Sequence, residues 1–169
     1  MKTTTLIYSA VFFLVIMGLF AWGNAARGKS AAQGIFGSDA PKSVLLAPEV
    51  FYDFGTISMR NGLVSKDFTI TNPTDQDITL KTLITSCMCT KAFIVKEDGS
   101  LKGPFGMPGM SYVPPANELI KAGASLTVRA LYDPNAHGPA GVGRIDRFIG
   151  LADANGGTLE FEIKANVTP

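Results

Sequence analysis

The chain of 169 residues is long enough for one domain with a proper hydrophobic core and an N-terminal extension. Its formal net charge is +1, and its lysines and arginines form no cluster. Because nucleic-acid binding normally needs a basic stripe matched to phosphates, this composition excludes nucleic acid as a partner.

The N-terminal segment is uncharged and apolar from residue 6 to residue 22. Its 17 residues would form a helix of roughly 25 Å, close to the ~30 Å hydrocarbon core of a bilayer. We therefore predict a transmembrane signal-anchor over residues 1–26, with the membrane as a partner. A cleaved signal peptide is the alternative, because Gly23, Asn24 and Ala25 offer small residues for cleavage. Either segment places the following domain outside the cytoplasm, in the periplasm or at the cell surface, or secreted after cleavage.

Residues 27–42 are rich in glycine, alanine and serine and have few large apolar side chains. This composition predicts a flexible tether. From residue 43 to residue 169 the hydrophobic period changes to two, which is typical of half-buried strands. In the last run, Leu159, Phe161 and Ile163 alternate with polar residues.

Turn signals such as Asn61-Gly62, Asn72-Pro73 and Asp133-Pro134 separate these runs at short intervals. The pattern predicts an all-β fold, an immunoglobulin-like antiparallel sandwich of about seven to nine strands, preceded by one N-terminal hydrophobic helix. A small barrel is the alternative architecture.

Several short motifs also resemble a known family. They are Asp-Phe-Gly-Thr-Ile at 53–57, Phe-Thr-Ile-Thr-Asn at 68–72, Ser-Cys-Met-Cys-Thr at 86–90 and Lys-Ala-Gly at 121–123. Over residues 45–168 the chain resembles the bacterial immunoglobulin-like family known as domain of unknown function 1573, which is similar to modules of the ASPM, SPD-2 and hydin type. The resemblance implies a sandwich with a binding role rather than a known reaction.

The chain departs from that family in three places. Met88 replaces the glycine of the usual Cys-Gly-Cys-Thr motif, and residues 96–116 and 133–141 are additional. The resemblance therefore implies little about these segments.

Sulfur is concentrated in two neighbouring segments of the sequence. The chain has two cysteines, Cys87 and Cys89, with Met88 between them. Met107 and Met110 follow in a stretch rich in glycine and proline. Thiolates on one side of a strand, together with thioethers that carry no proton, suit Cu(I). Zinc fits less well, because a zinc site wants four cysteine, histidine or carboxylate ligands.

A disulfide between the two cysteines is not expected unless a turn draws them together. Residues two apart on a strand have Cα atoms about 6.6 Å apart with parallel Cβ vectors. Free thiols outside the cytoplasm need protection, which a metal would provide. His137, the sole histidine, is the candidate fourth group. Whether His137 lies near Cys87 depends on whether residues 117–120 form a separate strand. Each added antiparallel strand moves the next loop to the opposite end of the sandwich.

Other hypotheses stay open at this stage. Cysteine and methionine also serve as core packing, and the apolar loop of residues 99–113 is a candidate contact surface for a protein partner or an envelope scaffold. A thiol-redox role of the Cys-x-Cys pair is the third hypothesis. No nucleophile elbow or other catalytic signature accompanies these residues, so the sequence predicts a binding module rather than an enzyme.

Overall fold

The computed structural model describes residues 8, 12–19, 35–36, 40–110 and 112–169. The chain divides into two compact units, Met1–Ala31 and Ala32–Pro169. In the first unit, residues 12–19 are helical and their side chains are exposed. The small residues predicted as a cleavage site, 23–25, lie outside the described residues.

The prediction of a transmembrane signal-anchor is corrected by the structure. Among the residues that it describes, no helix is both long enough and apolar enough to cross a bilayer.

The second unit is built from nine strands in its described part. They are β1 (Phe51–Ser58), β2 (Val64–Thr71), β3 (Ile78–Thr85), β4 (Thr90–Val95), β5 (Leu101–Phe105), β6 (Glu118–Ile120), β7 (Ser125–Tyr132), β8 (Gly143–Asp153) and β9 (Thr158–Thr168). Two short 3₁₀ helices, Met59–Asn61 and Gly138–Gly141, follow β1 and precede β8.

The strands form two sheets. One has the order β1-β9-β8-β3-β6 and the other has the order β2-β7-β4-β5. Neighbouring strands are antiparallel, as expected, except that β1 runs parallel to β9. The prediction of an all-β fold is thus confirmed, with one parallel pair that the sequence pattern did not predict.

The core lies between the two sheets. Phe68 of β2 stacks on Phe161 of β9, with ring centroids 4.5 Å apart. Along β9 the alternate residues Phe161, Ile163 and Val167 are all buried, so the period-two prediction is confirmed. Burying one such large apolar side chain stabilises the fold by about 1.5–3 kcal/mol.

The segment predicted as one long loop is partly a strand. β5 pairs with β4 as a hairpin, with Val95 opposite Leu101, and the turn is closed by the Lys96 amide donating to the Ser100 carbonyl at 2.9 Å. Gly103 and Pro104 concealed this strand, because both residues are rare inside central strands and are tolerated at a sheet edge. β5 is the outer strand of its sheet.

The connections place two loops at the same end of the unit. Thr90, the first residue of β4, lies opposite Tyr132, the last residue of β7. Because β6 is a separate strand, β7 returns to the end where β3 stops. The turn between β3 and β4 and the loop after β7 therefore meet at one end, which we call the cysteine end.

Candidate functional site

A four-residue turn, residues 86–89, joins β3 to β4 at the cysteine end. The Ser86 amide donates to the Phe148 carbonyl at 2.9 Å, and the Phe148 amide donates back to Ser86 Oγ at 2.9 Å. The buried Thr85 hydroxyl lies 3.1 Å from the Cys87 carbonyl and 3.0 Å from the Thr90 carbonyl. These bonds fix the turn to the sheet that carries β8.

Within this turn a disulfide joins Cys87 to Cys89. The sequence analysis allowed a disulfide here only if a turn draws the two cysteines together, and residues 86–89 form such a turn. The turn brings their Cα atoms to 5.3 Å, compared with about 6.6 Å for residues two apart on a strand. A Cα separation of 5.3 Å lies within the usual disulfide range of 4.4–6.8 Å.

His137 lies against this disulfide. Its Nε2 atom is 3.3 Å from Cys87 Sγ, and the ligand atoms of Cys87, Cys89 and His137 all lie within 4.8 Å of one another. Cys87 is half-buried, Cys89 is buried and His137 is exposed. These three residues lie close together and could hold a metal ion, but Cys87 and Cys89 are joined in the disulfide and would have to be reduced first.

Two contacts hold the histidine loop in place. The Asp133 amide donates to the Cys89 carbonyl at 2.9 Å, which links the loop to the cysteine turn. The Asn135 side-chain amide donates to the Met59 carbonyl at 2.8 Å, which links it to the 3₁₀ helix after β1. The loop is therefore anchored on both sides of the site.

Arg147 is a site residue that the sequence analysis did not identify. Its Nε–H donates to Cys89 Sγ at 3.1 Å, so a permanent positive charge contacts the buried sulfur. A signal was present in the sequence, because Arg147 shares the period-two face of β8 with the buried residues Ile145 and Ile149. A charged residue at a core-facing position of a strand requires a partner.

The three candidate methionines lie in the cysteine turn and in the segment after β5. Met88 is in the turn itself and is 47% exposed. Met107 and Met110 lie in the segment after β5, which the Thr85 amide joins to the cysteine end by donating to the Gly106 carbonyl at 3.1 Å. Met107 is half-buried and Met110 is exposed. The same segment exposes Tyr112, and its role as a contact surface for a protein partner stays a prediction.

Tyr132 lies beneath the site, at the end of β7. Burial raises the pKa of Tyr132 above its ordinary value, while the charge of Arg147 lowers it and that of Asp133 raises it. The net effect is a raised pKa, so the phenol remains neutral across the physiological range. Tyr132 thus adds no charge beneath the disulfide, and the positive charge next to the sulfurs comes from Arg147.

Comparison with known proteins gives a likeness in fold. No family profile matches the chain, and no curated protein matches it. Among solved structures, a protein of unknown function from Porphyromonas gingivalis superposes with a TM-score of 0.53 at 16% identity, covering 75% of this chain and 48% of that one. The secreted serine protease VesC from Vibrio cholerae gives 0.45 at 16% identity, covering 74% and 24%. The periplasmic chaperone SfaE gives 0.41 at 10% identity, covering 74% and 58%.

The chain spans about half the length of the Porphyromonas gingivalis protein. At such low identity this likeness bears on the fold alone. The resemblance to domain of unknown function 1573 stays a prediction, and the comparisons support a two-sheet β-sandwich as the fold of this chain.

Proposed function

We propose that this chain is an immunoglobulin-like binding module that holds Cu(I) when its Cys87–Cys89 disulfide is reduced. The observation that carries the proposal is the clustering of two cysteine sulfurs and one histidine nitrogen within 4.8 Å. That span is close to twice a metal–ligand bond of about 2.0–2.3 Å, so small side-chain shifts allow one ion to contact all three atoms.

The chemistry of the two thiolates and the imidazole favours Cu(I) over Zn²⁺. Two thiolates and an imidazole are soft or intermediate ligands, and Cu(I) accepts low coordination numbers. Zinc would need a fourth ligand, whereas Cys87, Cys89 and His137 are the one such group of cysteine, histidine and acidic residues in the described chain. The thioethers of Met88, in the same turn, and of Met107 and Met110, in the segment after β5, are the candidate supplementary soft donors.

The disulfide also supports a location of the domain outside the cytoplasm. Disulfides persist in oxidising compartments and are rare in the cytosol of most cells. A domain that carries one in an exposed turn suits the periplasm, the cell surface or the extracellular medium. In such a compartment the disulfide is the metal-free form, and the reduced form is the one that binds metal. The module binds its ion and performs no catalysis on it.

The test is an anaerobic Cu(I) competition titration against a chromogenic chelator. The full chain is compared in its oxidised and phosphine-reduced forms, so that the same molecule serves as its own control. We expect one-to-one withdrawal of copper by the reduced form and none by the oxidised form, because both thiolates are consumed by the disulfide.

Variants separate the ligands from one another. The Cys87→Ser/Cys89→Ser double variant should lose binding, and His137→Gln, which removes a ligand, should weaken it by at least the roughly 10- to 100-fold seen when a hydrogen-bond partner of a ligand is removed. Asp98→Asn, in the β4–β5 turn, is the matched control. Equal affinity of the double variant and the unchanged protein would overturn the proposal.

A further inference from the structure

A cavity of about 260 Å³ lies beside the disulfide, lined among others by His137, Arg144 and Arg147. Two of these residues also contact the sulfurs, since His137 approaches Cys87 and Arg147 approaches Cys89. The volume is slightly below the 300–1,000 Å³ of sites for drug-sized ligands. It therefore suits a small molecule or one end of a larger one.

The charge around the cavity is positive. Neither Arg144 nor Arg147 forms a salt bridge within the described residues, and the Arg147 Nη1–H donates to a backbone carbonyl, that of Asp146. The Asp146 carboxylate lies instead 3.5 Å from Lys164, and Asp133 accepts the Asn135 amide at 2.8 Å. The free guanidinium donors match a carboxylate, which arginine binds in a planar fork.

The cavity also adjoins an open edge of β8. Thr85, the last residue of β3, lies opposite Ile149, so the first part of β8 extends beyond β3. Backbone groups of an antiparallel strand point alternately to either side. Since the amide and carbonyl of Phe148 both bond to Ser86, those of Arg144 point the same way, to the side of β8 away from β9. An extended peptide could hydrogen-bond there.

The two sulfurs differ in access and in charge. Cys87 is half-buried, whereas Cys89 is 2% exposed and accepts the Arg147 N–H. An incoming nucleophile therefore reaches Cys87, and the electron pair released from the S–S bond goes to Cys89. A fixed positive charge at the leaving sulfur stabilises the thiolate that forms there.

From these contacts we infer that the cavity is the docking site of a small carboxylate-bearing peptide thiol that reduces the Cys87–Cys89 disulfide. The thiolate of the first molecule attacks Cys87 Sγ, the S–S bond breaks, and Cys89 leaves as a thiolate. A second thiolate attacks the bound molecule's sulfur, which releases a low-molecular-weight disulfide and the Cys87 thiolate. Two thiols are oxidised, and the protein gains two electrons and, from solvent, up to two protons.

This inference rests on the proposed function in one respect: reduction matters because it frees the thiolates that would bind Cu(I). The cavity thus couples the metal site to a peptide thiol that reaches the protein. The chemistry of docking can nevertheless be measured without copper.

The experiment follows reduction of the disulfide in the full chain by reduced glutathione and by its dimethyl ester, with rates normalised to thiolate concentration. Glutathione and its dimethyl ester have the same peptide backbone and thiol, and esterification removes both carboxylate charges. We expect glutathione to react at least tenfold faster with the unchanged protein, and to show saturation. In Arg147→Gln the preference should fall to below twofold.

Arg129→Gln is the matched control, because Arg129 pairs with Asp67 on β7 and β2 away from the cavity. It should keep the full preference for glutathione. Circular dichroism establishes that each variant is folded, and added salt tests the unchanged protein directly, since screening should reduce the preference. Equal rates for glutathione and its ester in the unchanged protein would overturn the inference.

The outcome is distinguishable from failure of the copper proposal. Arg144→Gln changes the lining of the cavity but no group that contacts the sulfurs, so after reduction by a phosphine it should still withdraw Cu(I) from the chelator. A normal glutathione preference without copper binding would leave the docking site standing and remove the metal function.

Discussion

The two ends of the sandwich differ in how completely their polar and reactive side chains are buried and hydrogen-bonded. At the end opposite the cysteines, the fully buried Asn72 amide lies within 2.7–3.3 Å of the carbonyls of Gln76, Ile120 and Lys121. Its oxygen accepts both the amide and the hydroxyl of Thr74. At the cysteine end, reactive sulfurs contact His137 and Arg147 and partly face solvent.

The difference shows which end holds the fold together and which end is available for chemistry. A buried polar group that is fully paired with backbone stabilises one arrangement of loops. A cluster of titratable or reactive side chains at an exposed turn contributes less to stability and can exchange its partners. Three predictions test this contrast.

The largest effect should come from the Asn72 end. Asn72→Ala takes one donor from each of three carbonyls and the acceptor from the Thr74 amide, although the Gln76 carbonyl keeps the Thr74 hydroxyl and the Lys121 carbonyl keeps the Ala124 amide. Groups that are left unpaired and buried cost about 1–3 kcal/mol each, less where water enters. We expect the free energy of unfolding to fall by roughly 2–4 kcal/mol, measured by urea denaturation. Asn155→Ala, at an exposed turn, should change it by less than about 0.5 kcal/mol. Equal effects of the two variants would remove the contrast.

Reduction of the disulfide should have a smaller effect. The cysteines have a sequence separation of 2, so the bridge closes a very short loop. The chain-entropy relation gives about 1.6 kcal/mol for such a loop. We expect urea denaturation with and without a phosphine reductant to differ by no more than this amount. A loss above about 3 kcal/mol would instead make the bridge a structural element of the fold.

The smallest effect should come from Glu118, the first residue of β6, which pairs with Lys96 and Lys102 of the β4–β5 hairpin. Burial alone would raise the pKa of Glu118, but hydrogen bonds from Lys96 and Lys102 lower it below its ordinary value of 4.5. A lowered pKa means that the stabilisation is present above the unfolded-state pKa and is lost as the pH falls through the folded-state pKa.

Glu118→Gln should therefore lower the free energy of unfolding by about 1 kcal/mol at pH 7, as for a partly buried ion pair. The difference from the unchanged protein should shrink as the pH falls below 4.5. Glu97→Gln, in the same hairpin turn, is the control, and a pH-independent difference would show that the charge of Glu118 is not responsible.

Much of the fold could be predicted from hydrophobic period. β9 was predicted because Phe161, Ile163 and Val167 alternate with polar residues over the whole strand, and all three are buried. β5 could not be predicted, since Gly103 and Pro104 oppose a strand by propensity and are accommodated at the edge position that pairing with β4 creates. The parallel pairing of β1 with β9 has no local signal, because it depends on residues far apart in sequence.

The site was predicted in its residue types and not in its geometry. Cys87, Cys89 and His137 were identified from their chemistry, and they do lie together. Their closeness depends on β6, a strand of three residues, which a sequence pattern cannot establish. Ser86 is the one common turn-forming residue in the turn at 86–89, which is too weak a local signal to predict that the cysteines come within bonding distance.

The outer strands of the two sheets have a consequence for behaviour at high concentration. β6 offers three residues, β5 contains Pro104, which has no amide hydrogen, and β1 is interrupted by a register shift between Asp53 and Thr56. The remaining outer strand, β2, carries the charged pair Lys66 and Asp67. Each of these four outer strands thus discourages the addition of a foreign strand, and the part of β8 that extends beyond β3 is left as the backbone edge where a peptide can add.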